Sequence, residues 1–128
     1  MIVIAGLVDD EDAPEADALL REVAQKGAIV PALFWDELRS VLLVLERKAR
    51  SSRTRTEAHL RHVRSLPIAV VPPLADEPIL RVARAHGLTA YDAAYAALAA
   101  ERGLPLATLD KALLRAGRTG AFALWSPT

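Results

Sequence analysis

Three carboxylates in this sequence occupy comparable places: Glu37, Asp92 and Asp110 each fall just after a short apolar run or at the start of a helix-like stretch. Acids converging from separate segments can form an oxygen-lined pocket for Mg²⁺ or Mn²⁺, hard cations that select oxygen ligands and keep several waters. Such an ion can activate one of those waters or bridge a phosphate, which is the chemistry of phosphodiester cleavage. A plainer role is open to two of the three. Thr89 with Asp92 three positions on has the spacing of a capping box, and Asp110 can N-cap a final helix, each role worth ~0.5–2 kcal/mol. Spacing alone favours the caps. Glu37 resists that account, because it lies one turn before Val41 and among Phe34 and Leu38. A carboxylate there needs an Arg or other partner, a metal, or exposure at the rim of a cleft.

Other chemistries find no support. The chain has no cysteine, so neither a disulfide framework nor a thiolate metal site is open to it, and a reducing compartment is the default. No Gly-rich phosphate loop, two-histidine metal spacing or nucleophile elbow is present. His59, His62 and His86 stand among arginines and are expected to be solvated. Tyr91 and Tyr95, one turn apart, read as core or cleft wall rather than as a platform for stacking bases, and Trp35 and Trp125 read as packing residues.

Sixteen basic and sixteen acidic side chains give zero formal charge, but the signs are segregated. Asp9, Asp10, Glu11, Asp12, Glu15 and Asp17 come early, whereas Arg47, Lys48, Arg50, Arg53, Arg55, Arg61 and Arg64 lie between Glu46 and Pro67. The basic stretch is suited to phosphates, and a solvated helix face fits it equally well.

The elements that must carry these residues follow from periodicity. Met1 to Ile4, running into Ala5 to Val8, and Ala28 to Val30 read as short buried strands. Pro67 to Val71, Pro105 to Thr108 and Ala121 to Trp125 complete the strand set. Helices are expected over Pro14 to Lys26, Leu33 to Ala49, Thr56 to Ser65, Asp76 to His86, from Ala90 to Gly103, and over Asp110 to Ala116, with Ser51 to Thr56 a polar connector. Gly87 suits the left-handed residue that closes a helix. The helix beyond it is rich in alanine at 93, 94, 96, 97, 99 and 100 and can approach a sheet closely, which crowds Asp92.

Alternation of this kind indicates an α/β domain around a mainly parallel sheet, with the ligand site at the carboxyl ends of the strands. A length of 128 residues argues for one domain, able to bury roughly two thirds of its unfolded surface. No apolar run approaches the ~20 residues of a membrane span and the N-terminus lacks signal-peptide character, so a cytoplasmic location is expected. The helix from Leu33 has an apolar stripe of Phe34, Leu38, Val41, Leu42 and Leu45, widened by Leu43 and Val44. A second surface covers a face that wide, either within the monomer or as a homodimer.

Three blocks of text resemble the PIN-domain ribonucleases, and within them the VapC-type toxins of bacterial toxin–antitoxin pairs. They are Val30-Pro31-Ala32-Leu33-Phe34-Trp35 with Glu37, Leu88-Thr89-Ala90-Tyr91-Asp92-Ala93-Ala94-Tyr95, and Leu104-Pro105-Leu106-Ala107-Thr108-Leu109-Asp110, in the family's order. The resemblance implies a single PIN-like α/β/α domain that cuts RNA with Mg²⁺ or Mn²⁺, and a cognate VapB-type antitoxin that covers the cleft. Glu37, Asp92 and Asp110 match three of the family's acids, and Thr108 its hydroxyl residue near the last acid. Asp92 and Glu37 are then the principal metal or water-orienting groups, with Asp110 and Thr108 supporting. Arg53, Arg55, Arg61 and Arg64 become candidates for guiding RNA.

The chain departs from the family after the first strand. Family members place Asp-Ala-Ser or a similar triplet there, whereas Ala5-Gly6-Leu7-Val8-Asp9-Asp10 follows Ile4 here. Ala5 stands where the first catalytic aspartate is expected, and the domain reads as shortened at that point. Asp9 and Asp10 resemble the acidic loop that follows and are weak substitutes. The expectation is an impaired metal-dependent endoribonuclease. Its alternatives are a catalytically silent PIN-fold module that binds antitoxin or RNA, and an unrelated α/β metal phosphohydrolase.

Overall fold

Consecutive β-branched residues with no polar alternation form β1 (Ile2–Ala5) at the centre of a four-stranded sheet in the computed structural model, which describes residues 1–6 and 14–127. Side chains alternate faces along a strand, and Ile2, Val3 and Ile4 are all buried, so both faces of the sheet are covered at its centre. The same holds for β2 (Ala28–Val30), where all three residues are buried. An α/β/α layering follows from that burial.

Strand order is β3-β2-β1-β4, with β3 at Ile68–Val70 and β4 at Leu106–Thr108, and every pairing is parallel. Val3 pairs with Ile29 on one side and Leu106 on the other, and Ala5 with Thr108. The chain builds from β1 through β2 to β3 and then returns to place β4 across β1. The order therefore reverses between β1 and β4, the point where open α/β sheets form their ligand crevice.

Helices α1 (Pro14–Lys26), α2 (Leu33–Arg47), α3 (Arg53–Arg64), α4 (Asp76–His86), α5 (Ala90–Arg102) and α6 (Lys111–Arg118) connect and cover the strands. α4 closes on Gly87, whose φ of 63° is the left-handed conformation that glycine adopts without steric cost. Thr89 then caps α5, its Oγ1 accepting from the Asp92 amide at 3.1 Å. In α5, Ala93, Ala96, Ala97 and Ala99 are buried, and with no bulk beyond Cβ they let the helix settle against β1, β4 and α4.

The largest departures from the expected boundaries fall at α3, α6 and the last strand. α3 begins at Arg53 rather than at Thr56, because Ser52 Oγ accepts from the Arg55 amide at 3.2 Å and starts the helix inside the supposed connector. α6 runs from Lys111 to Arg118, with Asp110 as its N-cap. The strand expected over Ala121 to Trp125 is an isolated bridge between Leu106 and Leu124. The segment gives up ladder length to turn Phe122 into the core, and Gly117 supplies the gap that lets α6 lie on the Leu124 side chain.

On α2, Phe34, Trp35, Leu38 and Leu42 are buried, while Val41, Leu43 and Val44 are exposed by 46%, 43% and 41%. The stripe is therefore narrower than its sequence suggests, and part of it faces outward. Among the described residues no helix is long and apolar enough to cross a membrane.

Candidate active site

A cavity of about 220 Å³ opens at the carboxyl ends of β1 and β4, and Glu37, Asp92, Thr108 and Asp110 all contribute to its wall. Ala5 and Gly6 line it from the end of β1. The four candidate residues, drawn from α2, α5, the end of β4 and the β4–α6 turn, thus share one space, while Asp9 and Asp10 lie outside the described residues.

Glu37 is half-buried on α2. Its partner is Tyr95, whose hydroxyl donates to Glu37 Oε1 at 2.7 Å. Tyr95 is 1% exposed, and burial first, then the hydrogen bond to Glu37 and the charges of Glu37 and Asp92, drive its hydroxyl far above the ordinary tyrosine range. It is therefore a neutral donor and cannot act as a base near neutral pH. Tyr95 is the residue that sequence reasoning left as core or cleft wall. Its one signal was its place one helical turn after the central acid.

Asp92 sits half-buried in the first turn of α5. Burial, and after it the charges of Asp110 and Glu37, hold its carboxyl above the usual value of 3.8, with a hydrogen bond to Thr89 acting in the opposite direction. Like charges reach Asp92 from two other elements, so the three acids form one electrostatic group.

Asp110 is a helix cap that also faces the cavity. Its Oδ2 accepts from the Leu113 amide at 2.9 Å as the N-cap of α6, and it also lines the cavity. Thr108 Oγ1 accepts from the Asp110 amide at 3.0 Å, which sets the turn that aims the acid.

The donor set suits a hard cation, being all oxygen. Among the described residues, however, no three His, Asp or Glu side chains lie close enough to hold an ion directly. One oxygen each of Glu37 and Asp110 is already turned to a protein donor. A space of this size admits several waters, so the arrangement fits an ion that keeps its waters and meets the acids partly through them.

The basic candidates lie elsewhere, since Arg53, Arg55, Arg61 and Arg64 do not line the cavity. Arg53 pairs with Glu57 at 3.2 Å on the exposed face of α3. Arg64 lies 3.6 Å above the Trp35 ring, and Trp35 in turn meets Phe34 edge-on at 5.1 Å, so this guanidinium is bound into the packing of α3 on α2. His59, expected to be solvated, is half-buried with Nε2 enclosed and no partner among the described residues. Burial and then the charge of His62 lower its pKa. The reason is its place three residues from buried Thr56 on the inward face of α3.

Tyr91 also departs from expectation. It stands 67% exposed beside a second, shallower groove of about 410 Å³.

A family model described as the PIN domain matches residues 2–119. One curated relative, "Exonuclease VapC9" of Pyrobaculum aerophilum, is 42% identical over 74 residues. That match covers 55% of this chain and 54% of the relative, about half of each. Among solved structures, the crystal structure of PAE2754 from Pyrobaculum aerophilum is similar with a TM-score of 0.65 and 26% identity, over 90% of this chain and 83% of that one.

Proposed function

The chain belongs to the PIN-domain family, and from that premise we propose that it is a VapC-like, metal-dependent ribonuclease with Glu37, Asp92, Asp110 and Thr108 as its site. The observation that carries this reading is the meeting of three acids from three separate segments in one cavity at the reversal of strand order. Exposure of the cavity and the raised pKa of Asp92 are consistent with a site built to receive positive charge.

Glu37, Asp92 and Asp110 would hold Mg²⁺ or Mn²⁺ partly through waters; when bound, the ion supplies an activated water and neutralises charge developing on the phosphate oxygens. Tyr95 fixes one oxygen of Glu37 and leaves the other to orient a ligand or a water. Asp110, held by the Leu113 amide and the Thr108 turn, gives the cavity a rigid second wall. The nonbridging oxygens of an RNA phosphodiester are the groups such a wall accepts once a cation intervenes.

Ala5 marks the weakness of the site. It lines the cavity at the end of β1, paired in register with Thr108, and contributes no carboxylate. This favours impaired activity, and the second reading, a silent PIN-fold module that binds antitoxin or RNA, rests on the same residue. A VapB-type antitoxin is the expected protein partner. The exposed Leu43 and Val44, which lie outside both grooves, are the proposed contact of a homodimer, which light scattering at micromolar concentration checks.

The deciding experiment incubates the purified chain with structured and unstructured RNA in Mg²⁺, Mn²⁺ or EDTA. Slow cleavage with either ion, lost with EDTA and in Asp92→Asn, supports the nuclease. Internal products distinguish endonuclease action from the exonuclease action in the relative's name. RNA binding without cleavage moves the assignment to the silent module.

A further inference from the structure

The shallower groove is continuous with the acid cavity, because Glu37 and Val41 belong to both. Its remaining wall is Leu33, Asp36, Ser40 and Tyr91. An apolar floor from Leu33 and Val41, one aromatic face and two hydrogen-bonding side chains at the edge form a surface for a flat, uncharged, aromatic ligand bearing N–H groups. Nucleobases have that chemistry. The charge of Asp36 at the groove edge is offset in part by Arg39 Nη2 at 2.6 Å.

Tyr91 precedes Asp92 in the same helical turn, yet it is 67% exposed. No packing requirement accounts for a large aromatic side chain standing in water at the lip of a cleft. Because the two spaces share Glu37 and Val41, a single strand whose phosphate lies at the acids has a continuous path for its neighbouring nucleotide along the groove and over that ring. We infer that Tyr91, with Leu33 and Val41, forms a stacking subsite for the nucleobase next to the phosphate held at the acidic cavity. The inference rests on the proposal that the cavity receives RNA, but not on the chain's being able to cut it. Base stacking on an aromatic ring is sequence-tolerant, so the subsite favours single-stranded over duplex RNA without selecting one base strongly.

The test measures binding of a fluorescent single-stranded oligoadenylate, and of a matched oligomer with abasic sugars, to the full chain in Mg²⁺ and in EDTA. Tyr91→Ala is expected to weaken oligoadenylate binding by roughly 5- to 150-fold. Tyr91→Trp should retain it, and the abasic oligomer should bind wild type and Tyr91→Ala alike. The exposed position keeps the melting temperature of all variants near that of wild type, which circular dichroism verifies. Equal oligoadenylate binding by wild type and Tyr91→Ala overturns the subsite, as does an equal loss for the abasic oligomer. Absence of RNA binding overturns both the subsite and the RNA reading. Tyr91-dependent binding with no cleavage leaves the subsite standing and removes only the nuclease.

Discussion

The hydroxyl of Tyr95 on α5 lies 2.7 Å from Glu37 Oε1 on α2, across 58 positions of sequence. Because Asp92 and Tyr95 are one turn apart on α5, that single helix places one acid directly and tethers another. The close seat of α5 on β1 and β4, which its buried alanines permit, therefore sets the geometry of two of the three carboxylates.

Tyr95→Phe keeps the ring and removes only the tether. A group that orients a metal-binding side chain typically contributes 10- to 100-fold in affinity, and a loss of Mn²⁺ affinity in about that range is expected by titration calorimetry. Stability should fall by about 1–3 kcal/mol in urea, since the buried hydrogen bond is to a carboxylate. Unchanged Mn²⁺ affinity would show that the tether does not bear on the ion.

Asp92 supplies a pH signature. Its folded-state pKa lies above the usual 3.8, so the folded state holds this proton more tightly than the unfolded chain does. The corresponding stability is present below the unfolded pKa and is lost as pH rises through the folded pKa. Asp92→Asn should therefore gain stability relative to wild type between acidic and neutral pH, read as diverging melting temperatures. Mg²⁺ should narrow the gap by stabilising wild type alone.

Ala5→Asp adds a carboxylate beside Thr108 in the sheet register and at the cavity wall. Without metal, another like charge raises the cost of ionising the group and lowers the melting temperature at neutral pH. With Mn²⁺ the variant should bind more tightly than wild type and cleave RNA faster. Slower cleavage accompanied by weaker Mn²⁺ binding would refute the idea that the site lacks an acid at this point.

His59 titrates in the opposite sense to Asp92. Burial and the charge of His62 depress its pKa below 6.5, so the unfolded chain binds this proton more readily and stability falls as pH drops through 6.5 toward the folded pKa. His59→Gln, which carries no charge at any pH, should flatten the decline seen between neutral pH and about pH 5. An unaltered pH profile in urea melts would place the titrating group elsewhere.

The sequence by itself determined the local grammar of this protein. Gly87 and Thr89 mark the break between α4 and α5, Asp110 caps α6, and unbroken apolar triplets identify strands, although β1 and β2 are covered on both faces while Ala69 and Val70 of β3 are exposed. Each is a signal between residues a few positions apart, set by backbone sterics and orphan amides. The conjunction of Glu37, Asp92 and Asp110 was legible only because their blocks follow a family order. What tertiary structure decided is everything that depends on which element lies against which. Tyr91 and Tyr95 have the same residue type one turn apart, yet one is 67% exposed and the other 1%, because α2 meets α5 at one ring and leaves the other at the lip. His59 is enclosed, Arg64 is held over Trp35, and the last strand shrinks to a bridge. Pairings between distant segments leave no period in the chain, since burial and partner are properties of packed neighbours rather than of spacing.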